Sequence, residues 1–573
     1  MKRRMPRTTL VPALAGLAMM NHVALADLPW FVDITEQAGV DFFYDNGMTG
    51  EVYFVEIMGG GAALFDFNNN GLLDLYLTQA GALGPGVTPA DRSQGDRLYR
   101  NDSTQDEQGN WTIRFTDVTE DAGIDARGYG MGVAIGDVNN SGFLDIYVLN
   151  FGDNQLWRNN GDGTFTDITD EAGVNDPRWS VSASFVDLDG NGWLDLYVAN
   201  YVDYTFEGHR ACRSSATNLP DYCSPSAYTG IADGFFRNLG DGRFRDDSAK
   251  VGIADTAQHG LGVIAADFTG DGRTEIYVAN DGSANNFWIV QEDGTWLDDA
   301  FLAGIAVNAA GAMEAGMGVD AGDFNRSGSE DIFITHMRRE TNTLYRNEGN
   351  GWFTDATAVT GLGTPSLPYT GFGTAWLDVN NNGWLDVVVG NGAVVVEEDL
   401  VAQGDPYPYH QSNQLFLNTG AGQFTEARGN ELGDLAWSGI TRGLAVGDLN
   451  NNGRLDIVEV NINGPARILL NQADLGHPWL GLEPRDAEGR RVLTGTVIWL
   501  LDEEGQRVMR RRSRADGSYA SANDPRALFG LPDARARQRI EVRWPDGKME
   551  RFVDLPLNQY HVIQPGQGEA LSP

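Results

Sequence analysis

The chain has 573 residues, 42% hydrophobic, 10% aromatic and 21% charged, with 72 glycines that follow no collagen period. This is a globular mix suited to many short strands joined by tight turns. The formal net charge of -39 repels nucleic-acid phosphates and anionic lipid heads, excludes both as partners, and favours cations.

The first 26 residues carry only basic charge. Lys2, Arg3, Arg4 and Arg7 precede an apolar run over residues 10–20, and Ala24 and Ala26 flank Leu25 in an A-x-A site. This predicts an export signal over 1–26 and a mature chain in the periplasm or outside the cell. The apolar run is too short for a membrane span of ~20 residues.

A motif, Asp-x-Asx-x-Asx-Gly-x-x-Asp, then recurs seven times. Its side-chain positions are Asp66, Asn68, Asn70 and Asp74; Asp137, Asn139, Ser141 and Asp145; Asp187, Asp189, Asn191 and Asp195; Asp267, Thr269, Asp271 and Glu275; Asp323, Asn325, Ser327 and Asp331; Asp378, Asn380, Asn382 and Asp386; and Asp448, Asn450, Asn452 and Asp456. Each copy lies between a Gly-rich strand and a β-branched or aromatic strand. A Leu-Tyr-Arg-Asn variant and a short Phe-led strand follow. Four strands per unit make a propeller blade. The seventh unit lacks its last strand, and a spare copy begins at Phe31, before the first unit. The expectation is a closed seven-bladed propeller over 27–476 whose N-terminal strand completes the last blade, leaving no open edge.

The motif predicts a cation site. Oxygens at positions 1, 3 and 5 of a tight loop converge, Gly at 6 permits the turn, and the acid at 9 closes the shell. Hard oxygen donors suit Ca²⁺, up to seven ions in all. The fourth loop, with Thr269 and Glu275, departs furthest. Sites with Ser141 and Ser327 should be weaker.

Long insertions fall between the second and third strands of their blades, near residues 79–97, 201–234 and 392–413. They share the end of the propeller opposite the calcium loops. Long loops on a rigid scaffold concentrate binding residues, so the expected ligand face includes His209, Arg210, Tyr222, His336, Arg338, Tyr407, Tyr409 and His410. Cys212 and Cys223, the only two cysteines, predict one disulfide in an exported chain, with two buried free thiols as the alternative.

Near residue 476 the charge changes. Residues 477–573 hold 15 Lys and Arg against 14 Asp and Glu, which marks a domain boundary. A small β-sandwich-like domain is expected over 477–567, with a tail at 568–573.

The repeated unit resembles the FG-GAP/VCBS repeats of integrin α-subunit propellers. That resemblance implies calcium ions bracing each blade and ligand binding elsewhere. Three C-terminal segments resemble the ASPIC/UnbV domain: Gly517-Ser-Tyr519-Ala-Ser521, Phe529-Gly530-Leu531 and Val542-Arg-Trp544-Pro545-Asp-Gly547. Thr496 stands where that pattern has a small Ala-like residue. With Tyr222-Cys223-Ser-Pro225 and the stretch from Glu340 to Asn347, the whole is similar to the cartilage acidic protein-like family.

No nucleophile elbow, zinc-protease helix or phosphate-binding loop is present, so no catalytic residue is assigned. The expected function is a calcium-binding adhesion or interaction module for an extracytoplasmic protein or glycan, with the oligomeric state open. One alternative is a polysaccharide lyase-like enzyme, which needs His209, Arg210, His336, Arg338, His410 and the nearby Tyr residues to meet in one cleft. The other is an accessory factor of an exported biosynthetic or redox system.

Overall fold

The computed structural model describes residues 28–532 and 537–571. The expected export signal at 1–26 lies outside the described residues. No helix among those described is long and apolar enough to cross a membrane.

Seven four-stranded antiparallel sheets form the propeller. In the second blade, Gly130–Gly136, Asp145–Asn150, Gly152–Asn159 and Phe165–Asp167 run from the axis outward. The first strands of successive blades contact one another in a closed ring, the seventh touching the first. Their glycines make this possible. A Cβ on Gly318 would lie 2.0 Å from the Phe372 carbonyl oxygen, and one on Gly443 2.2 Å from that of Gly60. The second strands, such as Asp145–Asn150, are buried throughout, as strands covered on both faces must be.

The ring closes with the N-terminal strand. Phe31–Asp33 pairs antiparallel with Arg467–Asn471 and completes the seventh blade. Phe31 is fully buried in the core shared by the sixth and seventh blades.

The Leu-Tyr-Arg-Asn element has a further role. In six blades its Asn reaches back to the preceding blade. The side-chain amides of Asn101, Asn159, Asn238, Asn347, Asn418 and Asn471 donate to the carbonyls of Leu449, Phe67, Val138, Phe268, Phe324 and Val379. Each acceptor is position 2 of a motif loop. The fourth blade has Val290 at the equivalent place.

The C-terminal domain is a sandwich of a three-stranded and a five-stranded sheet around Leu480, Ile498, Phe529, Ile540 and Trp544. Thr496 is accommodated there, buried, with its hydroxyl donating to the Leu493 carbonyl. The expected tail needs correction. Glu569–Leu571 pairs with Met549–Arg551 as the edge strand of the larger sheet, and Glu550 accepts the Gly566 and Gly568 amides that lead into it.

Candidate functional site

Five of the seven loops share one geometry. In the first, the Asn70 amide donates to both Asp66 and Asn68, at 3.0 Å each, which gathers positions 1 and 3. Asp66 also accepts the Gly71 amide at 2.7 Å. Asn69 and Gly71 have φ of 58° and 88°, the left-handed backbone this tight loop requires. Asp74 accepts the amides of Phe67 and Asn101. Loops two, three, five and six gather positions 1 and 3 in the same way. In the seventh loop the buried Asn450 Oδ1 has no donor.

These carboxylates are costly to bury. Burial, reinforced by Asp137 nearby, pushes Asp145 up to about 8. Burial likewise pushes Asp195 to about 7 and Asp378 to about 6. Gathered, buried oxygens of like charge fit a hard divalent cation, and the residues of loops one, two, three, five, six and seven fit Ca²⁺. Its chemistry there would be structural: charge neutralisation and a fixed loop. Among the described residues no three His, Cys, Asp or Glu side chains assemble as a metal group. The donor sets would be completed by Asn, Ser and backbone oxygens, and in the third loop Arg237 pairs with the second oxygen of Asp189.

The C-terminal domain covers this end of the propeller. Arg485 bonds Asn69, Arg491 bonds Asn140, Arg510 and Arg512 pair with Glu330, Arg543 pairs with Asp267, and the Tyr560 hydroxyl donates to Asp448. From this domain the segment 516–524 runs into the axial channel. Asp516 accepts from Ser184 and the Ala265 amide. The Ser518 amide and hydroxyl donate to the Val319 and Leu444 carbonyls, and its hydroxyl accepts the Thr374 amide. The Ala520 carbonyl takes the Val133 amide, and Ala522 exchanges bonds with Ala62 and Leu64. All seven blades are thus engaged by one short segment. Tyr519 is fully buried, and its hydroxyl donates to the Met58 carbonyl at 2.7 Å.

At the other end, the inserts of blades three and six meet across the axis. The Tyr222 and Tyr407 hydroxyls lie 3.2 Å apart. Asp221 accepts the Tyr409 hydroxyl at 3.0 Å and the Val396 amide at 3.1 Å. Cys212 and Cys223 form the disulfide of the blade-three insert. Beneath lies Glu56, in the connection from the last blade to the first. Tyr222 donates to one of its oxygens at 3.0 Å and the other is buried without a partner. Burial pushes its carboxyl up to about 7. Arg442 is fully buried nearby, stacked 3.8 Å from the Phe372 ring centre and donating to the carbonyls of Ile57, Gly392 and Ala393.

The expected ligand-face residues are therefore only partly united. Tyr222, Tyr407 and Tyr409 cluster. His209 and Arg210 belong to a neighbouring aromatic group, His209 against Tyr53 and Arg210 over Tyr228. His336 is no surface residue. It is 2% exposed, and burial lowers it to about 4. Arg338 is held by Glu397 and Glu398. His410 rests against the Ser438 carbonyl. No described hydrogen bond, ion pair or ring contact joins His209, Arg210, His336, Arg338 and His410 to one another. Glu56 and Arg442 escape sequence reasoning because no motif surrounds them. Phe54, which packs among Trp179, Tyr204 and Tyr228, gives equally little signal.

A family model described as FG-GAP-like repeat matches residues 137–198, 267–334, 323–389 and 398–459, and one described as ASPIC and UnbV matches 487–570. Cartilage acidic protein 1 of Mus musculus is 27% identical over 342 residues, covering 51% of this chain and 52% of that protein. The Homo sapiens protein is 26% identical over 344 residues, covering 51% of each. The chain spans about half the length of the curated relatives it matches. Among solved structures, an Agrocybe aegerita lectin that recognises non-reducing terminal N-acetylglucosamine superposes with a TM-score of 0.36 at 15% identity, covering 71% of this chain and 86% of the lectin. The rhamnogalacturonan lyase YesW gives 0.35 at 12% identity, covering 72% of each chain.

Proposed function

We propose that this chain, in which FG-GAP-like repeats are sealed at one end by an ASPIC and UnbV domain, is an exported, calcium-braced interaction module rather than an enzyme. Its partner is an extracytoplasmic protein or glycan. The observation that carries this reading is the asymmetry of the two ends. One end and the channel are occupied by the chain's own C-terminal domain. The other presents the inserts, with Tyr53, Phe206, His209 and Tyr228 partly exposed and Arg210 exposed beside them. Aromatic rings beside basic groups suit both sugar faces and protein hot spots. The similarity to cartilage acidic protein 1 agrees with a role in recognition outside the cytoplasm.

The test is binding of the mature protein, in millimolar Ca²⁺, to glycan and secreted-protein arrays. A variant with Tyr53, Phe206 and Tyr228 replaced by Ala serves as control. A hit whose affinity falls at least tenfold in the variant supports the insert end. A hit that the variant leaves unchanged overturns that placement.

A further inference from the structure

We infer that the fourth motif loop is not a calcium site but the socket in which Arg543 of the C-terminal domain docks, so that a guanidinium stands where the other loops take a metal. This rests on the calcium reading of the other six loops.

Four departures coincide in this loop. Position 3 is Thr269, whose hydroxyl donates to Glu275 at 3.2 Å instead of offering a carbonyl oxygen inward. Position 9 is Glu275, one methylene longer than Asp, and it folds back to accept the Phe268 and Thr269 amides. Position 5 is Asp271, turned outward to Arg273, which holds it through Nε at 3.0 Å and Nη2 at 2.7 Å. The Asp271 amide, which in loops one, two, three, five and six would gather positions 1 and 3, donates to neither. In addition, the strand-three backbone N–H that caps the position-9 acid in the other six blades belongs here to Val290, and no described hydrogen bond joins it to Glu275. With Thr269 and Asp271 engaged by side-chain partners and no amide gathering positions 1 and 3, the loop does not present the converging oxygens that calcium's shell of six to eight needs.

Asp267 keeps its place and takes a different cation. Arg543 Nη2 donates to Asp267 Oδ2 at 2.7 Å, and both side chains are largely buried. The other oxygen, Oδ1, is buried with no donor of its own. The pair lines two interdomain clefts, one of about 520 Å³ toward the third loop and one of about 490 Å³ toward the fifth. It therefore stands as a pillar between them. A guanidinium neutralises a single carboxylate through one N–H where a metal would need a full shell. Arg543 opens the Arg-Trp-Pro-Asp-Gly turn, which gives that turn a docking role.

Two measurements on the calcium-saturated mature chain test this. Native mass spectrometry counts bound Ca²⁺ in the parent, in Asp267→Asn and in Asp378→Asn. The expected count falls by one in Asp378→Asn and is unchanged in Asp267→Asn. A calcium lost in Asp267→Asn overturns the inference. Hydrogen exchange of the 516–524 amides reads docking of the domain. It should rise at least tenfold in Arg543→Glu and return toward the parent value in Arg543→Glu with Asp267→Arg. Failure of the swapped pair to restore protection overturns the inference. A parent that binds no calcium would sink the calcium reading, and the charge swap would still decide the socket.

Discussion

The Asn101 side-chain amide donates to the Leu449 carbonyl at 2.9 Å, joining the first blade to the seventh across 348 residues of sequence. The same amide donates to Leu73 in its own blade. Replacing Asn101 by Leu leaves two buried carbonyls without a donor, at ~1–3 kcal/mol each. The expected result is a clear fall in melting temperature with an unchanged fold by circular dichroism. An unaltered melting curve would show that the seam is held by other contacts.

Deleting residues 28–35 removes the outer strand of the seventh blade and uncovers Leu469 and Ile457, both fully buried. An exposed strand edge beside apolar surface invites association. Size-exclusion chromatography should show aggregates or a broad, non-cooperative melt. A monomer that melts like the parent would argue for an open array.

Tyr519→Phe removes only the bond to Met58, and ~1 kcal/mol of stability should go with it. Tyr519→Ala also empties the space packed against Phe372, 4.9 Å away between ring centres, and should cost ~3–5 kcal/mol. Denaturant titration of both variants measures the two steps. Equal losses would mean that the ring fills no space that matters.

Melting in excess chelator and in millimolar Ca²⁺ should differ by several degrees. Binding to the folded state alone adds ~2.7 kcal/mol per site at a hundredfold excess over the dissociation constant. Coincident curves would remove calcium from the account.

Glu56 gives a pH signature. Burial raises its carboxyl to about 7 from an ordinary 4.5, against the Tyr222 bond that lowers it. The folded chain therefore keeps a proton that the unfolded chain has already lost. Wild-type stability contributed by this group falls as pH rises from about 4.5 to about 7 and then levels off. Glu56→Gln lacks that loss. The difference between the two stability curves should grow by on the order of 3 kcal/mol across the window. A pH-independent difference would place the Glu56 pKa near its ordinary value.

Much of the propeller was legible because its repeat writes the same instructions seven times. Strand period, loop chemistry and the displaced strand at Phe31 are all local patterns. What stayed hidden depends on contacts between segments distant in sequence. Nothing near Tyr519 signals that it enters a channel formed by other residues. Glu56 sits in an ordinary connection, and only the Tyr222 insert, 166 residues later, makes it a buried acid. His336 read as a basic group on a loop, yet Asn342 and the strand at Gly371 enclose it. The Asn of each Leu-Tyr-Arg-Asn element was visible as a residue, while its reach to the preceding blade was not.

The axial segment 516–524 also constrains the order of assembly. It bonds to the innermost strand of every blade, yet it is synthesised after all of them. Strand 31–33, made first, waits for its partner at 467–471. A growing chain can therefore form individual blades but neither close the ring nor fill its axis until nearly all of it is available. Contacts this remote in sequence slow folding and leave partly built, edge-exposed states that need protection meanwhile. Refolding from denaturant should accordingly show early sheet formation and a late phase in which burial of Tyr519 and pairing of Phe31 are completed.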